Sequence, residues 1–91
     1  MTHRLHVRIE GRVQGVGFRY AACAKAEALG LAGWVRNLYD GGVEAEFEGP
    51  KADLDAMLAW CRHGPAFAAV THLEAAWEDG PPRHEGFHVR H

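Results

Sequence analysis

The sequence predicts an α+β fold in which elements follow the order β-α-β-β-α-β, with a short extra strand near the C-terminus. Two observations carry this prediction. Apolar and polar residues alternate in several segments of strand length, and two stretches between them have the apolar spacing of amphipathic helices. This element order is the split-βαβ or ferredoxin-like arrangement, with two helices on one face of an antiparallel sheet.

The N-terminal third supplies a strand, a glycine-rich segment and a helix. Leu5, Val7 and Ile9 alternate with polar residues, as in a half-buried strand. Residues 11–17 contain three glycines, and residues 18–29 are alanine-dense and rich in good helix formers. We therefore expect a strand that runs through a glycine-rich loop into the first helix.

The rest of the chain alternates between strand and helix signals in the same way. The second helix has its apolar residues at the i, i+3, i+4 and i+7 positions of one stripe. These are Leu54, Met57, Leu58 and Cys61. In order, we expect a strand at 33–39, a hairpin turn at 40–42, a strand at 43–48, a helix from Pro50, a strand at 71–77 and a terminal strand at 87–89.

Length and composition limit the class of protein. The 91 residues are 47% hydrophobic and 24% charged, which predicts one globular domain over residues 1–91. No apolar run approaches the ~20 residues of a membrane span, and the N-terminus lacks the apolar segment of a signal peptide. We expect a cytoplasmic protein with no membrane partner.

Charge argues against nucleic-acid binding. The formal net charge is −2, whereas such proteins usually carry a basic surplus. The third strand also presents three glutamates on its polar side, and these would repel phosphates. They are Glu44, Glu46 and Glu48. A ferredoxin-like sheet that stacks RNA bases on its open face is therefore not expected.

Several kinds of catalytic or metal site lack the residues they need. There is no serine, which excludes a serine-nucleophile triad. Cys23 and Cys61 are too far apart for a CxxC motif, and each fits an apolar helical face as a packing residue. The seven histidines show no metal-ligand spacing on a helix. We expect no metal and no cofactor.

The glycine-rich segment is a candidate anion site. Backbone N–H groups can converge where glycines precede a helix, and the helix N-terminus favours negative charge. Arg19 in the first turn opposes the helix dipole unless an anion is bound there. Composition alone leaves a second interpretation open, in which the segment is a tight connection and Arg19 faces water.

Topology brings a second polar residue to the same edge of the sheet. A right-handed helical crossover makes the first two strands parallel, with the third strand between them. The glycine-rich segment follows the C-terminal end of the first strand, and Asn37 lies toward the C-terminal end of the second, so both sit at the same edge of the sheet. Two strand spacings put these strands roughly 10 Å apart. An arginine, an anion and a water can bridge that gap.

Two motifs resemble those of the acylphosphatase family. The first runs from Gly11 to Arg19 and the second from Gly33 to Gly41, and the resemblance extends through Gly64-Pro65 to the terminal Phe87-His88-Val89-Arg90. Tyr39 departs from the pattern, because proline is common there in the family, and this leaves the geometry of the turn open.

The resemblance implies a hydrolase that cleaves acyl phosphates, the mixed anhydrides of carboxylic and phosphoric acids, into carboxylate and phosphate. It implies that Arg19 binds phosphate and that Asn37 positions water. The backbone cradle would consist of Gln14, Gly15, Val16, Gly17 and Phe18. No cofactor is implied, and the partner is a small-molecule acyl phosphate.

Two other readings share the fold. A non-catalytic ligand-binding or regulatory module would explain the architecture but not the pairing of Arg19 with Asn37. Acylphosphatase-like domains also occur inside larger carbamoyl-transfer maturation proteins. We expect a stand-alone, monomeric enzyme.

Overall fold

The computed structural model describes residues 2–91, and its elements follow the predicted order. The first and fourth strands are longer than the alternation predicts, because both continue past their apolar residues. The elements are β1 Thr2–Arg12, α1 Phe18–Ala28, β2 Ala32–Asn37, β3 Val43–Gly49, α2 Lys51–Cys61, β4 Ala69–Gly80 and β5 Phe87–Arg90. We call residues 13–17 the β1–α1 loop.

One five-stranded sheet has the order β4-β1-β3-β2-β5. The four longer strands pair antiparallel, and β3 lies between β1 and β2 as the crossover argument predicts. The expectation of an antiparallel sheet needs one correction, because β5 pairs parallel to β2 and makes the sheet mixed. The chain leaves β4 and enters β5 at the same end of the sheet, where Gly33 N–H donates to the Gly86 carbonyl at 2.9 Å.

The core lies between one face of the sheet and the two helices. Each central strand contributes its alternate residues, and each helix contributes one apolar face. Of the stripe predicted for the second helix, Leu54, Met57 and Cys61 are buried and Leu58 is partly buried against them. The residues buried here include Leu5, Val7, Ile9, Val43, Ala45 and Phe47 of the sheet, and Phe18, Ala22, Ala26, Leu54, Met57 and Cys61 of the helices. Both helices therefore cover the same face.

A bulge interrupts the simple alternation predicted for β4. The pairing of β1 with β4 steps from Glu10–His72 to Gly11–Val70, so Thr71 has no partner on β1. Gly11 has φ +125°, and a Cβ there would lie 2.1 Å from the Ala69 carbonyl oxygen. Only glycine fits at this point, and the bulge leaves Thr71 exposed and outside the pairing with β1.

The open face of the sheet carries paired rather than bare carboxylates. Glu44 accepts hydrogen bonds from Arg36 and His6, Glu46 pairs with His84, and Glu48 pairs with Arg4. These contacts partly neutralise the acidic stripe, which was one reason not to expect nucleic-acid binding.

No helix within residues 2–91 is long and apolar enough to cross a bilayer.

The two cysteines have different environments. Cys61 is fully buried against the core, as predicted, and burial raises the pKa of its thiol to about 12. Cys23 is only partly buried, so the packing prediction holds for it in part. Both thiols are free.

Candidate active site

The β1–α1 loop presents unpaired backbone donors. Gly15 and Gly17 have φ of 74° and 76°, and Gly17 caps α1 without any side-chain hydrogen bond. The first helical hydrogen bond runs from Ala21 N–H to the Gly17 carbonyl at 3.0 Å. Within residues 2–91, the N–H groups of residues 15–20 donate no hydrogen bond. They are available to an anion, which the helix dipole also favours.

Arg19 stands in the first turn of α1 beside these donors. Its Nη1 donates to the Arg90 carbonyl at 2.9 Å and lies 3.2 Å from His91 Nδ1. No carboxylate among the described residues forms an ion pair with it. The guanidinium is thus held in position while its charge stays available to a ligand.

Asn37 is the last residue of β2, and its side chain makes no hydrogen bond to any other described residue. Arg19 and Asn37 line the same two adjoining depressions, of about 490 and 200 Å³. The smaller depression also includes Gly15, Gly17 and Phe18. The structure therefore brings together the predicted arginine, asparagine and much of the loop.

The side chain of Gln14 has a function that sequence reasoning missed. Its Nε2 donates to the Leu38 carbonyl at 2.6 Å and to the Gly42 carbonyl at 2.9 Å. Gln14 thus ties the β1–α1 loop to the β2–β3 turn. Its only sequence signal is a long amide side chain among glycines and apolar residues.

The β2–β3 turn is held by hydrogen bonds that do not involve the Tyr39 side chain. Leu38 N–H donates to the Gly42 carbonyl at 2.8 Å, and Gly42 N–H donates to Asp40 Oδ1 at 2.9 Å. The Gly42 hydrogen bond, together with an ion pair to Arg8, lowers the pKa of the Asp40 carboxyl. Tyr39 is fully exposed, so its departure from the family pattern leaves the turn's hydrogen bonds intact.

Val16 lies on the other side of the loop from Asn37. It lines a separate depression with Arg12, Gln14, Gly15 and Phe67.

No group of three or more His, Cys, Asp or Glu side chains within residues 2–91 is arranged to hold a metal ion.

The fold and the site define a small α+β protein whose first β–α loop presents unpaired backbone donors and Arg19 at the same depression as Asn37 of β2. The Acylphosphatase family model matches residues 5–89. An acylphosphatase from Thermococcus kodakarensis is 51% identical over 94% of this chain and 93% of its own. One from Haloarcula marismortui is 50% identical over 99% of each chain. The chain belongs to the acylphosphatase family, and it is a hydrolase of acyl phosphates.

Solved structures agree with this assignment. The acylphosphatase from Bacillus subtilis superimposes with a TM-score of 0.93 at 35% identity, covering 98% of this chain and 99% of that one. T. kodakarensis HypF gives a TM-score of 0.82 at 28% identity, covering 97% of this chain but 12% of that one. The fold thus also occurs as one part of a much longer protein.

Proposed function

We propose that this chain hydrolyses acyl phosphates by holding the phosphoryl group against the β1–α1 loop and directing a water at phosphorus. Arg19 and the backbone N–H groups of residues 14–18 bind the phosphate, and Asn37 orients the water. One observation supports this most directly. Unpaired N–H groups, an arginine without a carboxylate partner and an unpaired asparagine amide border one depression.

Phosphate binding follows from charge and geometry. A guanidinium presents parallel donors that match two oxygens of a phosphate. The N–H groups at the start of α1 add donors and the positive end of the helix dipole. The conflict between Arg19 and that dipole disappears once a dianion lies between them.

The chemical step requires positioning more than proton transfer. The water oxygen forms a bond to phosphorus while the bridging bond from phosphorus to the acyl oxygen breaks. The electron pair of the broken bond leaves with the carboxylate. One water proton passes to a phosphate oxygen, so a dianionic acyl phosphate yields a carboxylate and dihydrogen phosphate. Asn37 contributes by holding the attacking oxygen in line.

The nature of the leaving group explains why the mechanism needs no general acid. A carboxylic acid has a pKa of roughly 4, so the carboxylate departs as an anion and needs no proton. Arg19 and the loop donors meet the remaining need, which is stabilisation of the phosphoryl oxygens. We therefore expect turnover to survive exhaustive chelation. Loss of activity with EDTA and its return with a divalent ion would contradict this mechanism.

The oligomeric state, the cellular location and the partners are also proposals. We propose a monomer that acts in the cytoplasm on a small-molecule acyl phosphate, without nucleic acid as a partner. Sedimentation of the purified protein, alone and with RNA, tests the monomer and the partner together. Dimer formation or co-sedimentation with RNA would overturn the corresponding proposal.

The direct test of the site is the Arg19→Lys variant. Lysine keeps the charge but loses the planar pair of donors. Turnover of acetyl phosphate should fall by about 10²-fold, the scale of one well-placed catalytic donor, and inhibition by inorganic phosphate should weaken. Arg62→Lys, at an exposed position just after α2, is the matched control and should behave as wild type. Near-normal kinetics in Arg19→Lys would remove Arg19 from the site.

A further inference from the structure

An open depression lies beside the phosphate-binding region and contains neither Arg19 nor Asn37. It has a volume of about 560 Å³ and is lined by Arg12, Gln14, Gly15, Val16 and Phe67. The Phe67 side chain is 80% exposed, which is unusual for a large apolar group without a partner. Gln14 also lines the larger depression that holds Arg19, and Gly15 lines the smaller one, so the regions adjoin at these two residues.

The sheet order sets Asn37 and Phe67 on opposite sides of the β1–α1 loop. Asn37 ends β2, which is separated from β1 by β3. Phe67 precedes β4 by two residues, and the first residue of β4, Ala69, pairs with Arg12 on the other side of β1. With neighbouring strands ~4.8 Å apart, the two side chains flank the loop from opposite directions.

In-line displacement links the positions of Asn37 and Phe67 to the two ends of the reaction. The attacking and leaving oxygens stand on opposite sides of phosphorus. If water approaches from the Asn37 side, the acyl group must depart toward Phe67; this step rests on the proposed function. We propose that the Phe67 depression is the acyl subsite, and that it favours acyl phosphates with a flat apolar or aromatic acyl group.

Arg12 gives the subsite a partner for the product. It is exposed, and it forms no hydrogen bond or ion pair through its side chain within residues 2–91. When the bridging bond breaks, its electron pair leaves on a carboxylate in this depression. A guanidinium can donate two parallel hydrogen bonds to that carboxylate. Arg12 therefore stabilises the leaving group, while Val16 and Phe67 contact the acyl body.

The subsite is tested by comparing benzoyl phosphate with acetyl phosphate. Each variant is described by its ratio of kcat/KM for the two substrates, which cancels any general loss of activity. Phe67→Ala should lower this ratio by about 2- to 10-fold, the scale of one offset aromatic contact. Any effect of this variant on acetyl phosphate turnover cancels in the ratio, and its inhibition by inorganic phosphate, which has no acyl group, should match wild type.

Tyr39→Ala is the matched comparison, because Tyr39 is an exposed aromatic on the Asn37 side of the loop. It should leave the ratio unchanged. A ratio that falls in Tyr39→Ala but not in Phe67→Ala would place the acyl group on the wrong side and overturn the subsite. An unchanged ratio in both variants would overturn it as well.

The Arg12 contribution has its own variant. Arg12→Gln should lower kcat for both substrates several-fold and leave inhibition by inorganic phosphate unchanged. Lys25→Gln, in the last turn of α1, removes the same charge far from the loop and should have no effect. Unchanged kcat in Arg12→Gln would remove Arg12 from the subsite. Failure of the underlying function would instead appear as normal acetyl phosphate turnover in Arg19→Lys.

Discussion

Arg19 is held in place by the backbone of Arg90, a residue 71 positions further along the chain, through a 2.9 Å hydrogen bond from its Nη1 to the Arg90 carbonyl. Arg90 pairs with Arg36 where β5 runs parallel to β2. The next residue of β2 is Asn37. This hydrogen bond helps to link the start of α1 to the pair of strands that carries the asparagine, so the spacing of the two site residues depends in part on β5.

Loosening β5 should therefore weaken phosphate binding at a distance. The Phe87 ring stacks on Phe47 with centroids 5.4 Å apart, which anchors β5 to the core. Phe87→Ala should destabilise the fold by about 3 kcal/mol, typical of a buried phenylalanine. At temperatures where the variant is still folded, inhibition by inorganic phosphate should also weaken. Urea unfolding and inhibition assays measure the two effects.

Phe87→Leu serves as its control, because it keeps most of the volume. It should restore much of the stability and nearly all of the phosphate affinity. Destabilisation in Phe87→Ala with wild-type phosphate affinity would show that β5 does not position Arg19.

Gln14 should act on stability and ligand binding together. Gln14→Ala removes two hydrogen bonds between the β1–α1 loop and the β2–β3 turn, which should cost about 1–2 kcal/mol. Gln14→Glu should cost more, because a carboxylate would face two carbonyl oxygens. Phosphate affinity should fall in the same order. If Gln14 instead contacts the phosphate directly, affinity will fall in Gln14→Ala while the free energy of unfolding stays unchanged.

The fold was predictable wherever local alternation decides it. Leu5, Val7 and Ile9 point into the core because the side-chain period of a strand is two, and no distant contact changes that. The features that were missed depend on distant pairings. The bulge that displaces Thr71 requires the approach of Gly11, and the parallel pairing of β5 depends on where β4 ends.

The features of the site that local motifs encode were predicted, and those that depend on distant contacts were not. The motifs and the crossover topology were enough to predict that Arg19 and Asn37 face one depression. The hydrogen bonds of Gln14 reach Leu38 and Gly42, 24 and 28 residues away, and no local pattern encodes such contacts. The ion pairs of the three glutamates on β3 were missed for that reason too.

Acid should destabilise the protein partly through Glu48. This side chain is 5% exposed and accepts hydrogen bonds from the backbone N–H groups of Arg83 and His84 and from Arg4. Burial alone would raise the pKa of Glu48, but these hydrogen bonds outweigh it and lower the pKa. The resulting stabilisation is fully present above the ordinary glutamate pKa of roughly 4.3 and is lost as pH falls through the lower folded value.

Glu48→Gln should therefore be less stable than wild type at pH 7, and the difference should shrink as the pH falls below about 4.3. Urea unfolding from pH 7 to pH 3 measures both. Glu85→Gln, at an exposed position on the same connector, should follow the wild-type curve. A constant difference between Glu48→Gln and wild type across this range would show that the Glu48 carboxylate contributes nothing through its ionisation.

Substitution of Asn37 should lower catalytic turnover without weakening phosphate binding. Its amide has no hydrogen-bond partner among the described residues, and the neighbouring turn is held by Gln14, Asp40 and Gly42 instead. Support of the turn is therefore a weak explanation for an asparagine here. An interaction used mainly in the transition state lowers kcat and kcat/KM together and leaves ground-state binding alone.

Asn37→Ala should lose at least ~10²-fold in kcat, the scale of one well-placed polar catalytic group. Its melting temperature and its inhibition by inorganic phosphate should stay close to wild type, because the alanine leaves the turn and the phosphate cradle intact. Arg19→Ala, the comparison variant, should lose turnover and phosphate inhibition together. Calorimetry, phosphate inhibition and kcat on both variants distinguish the two functions. If phosphate affinity in Asn37→Ala falls as far as kcat does, Asn37 binds the phosphate and does not position the water.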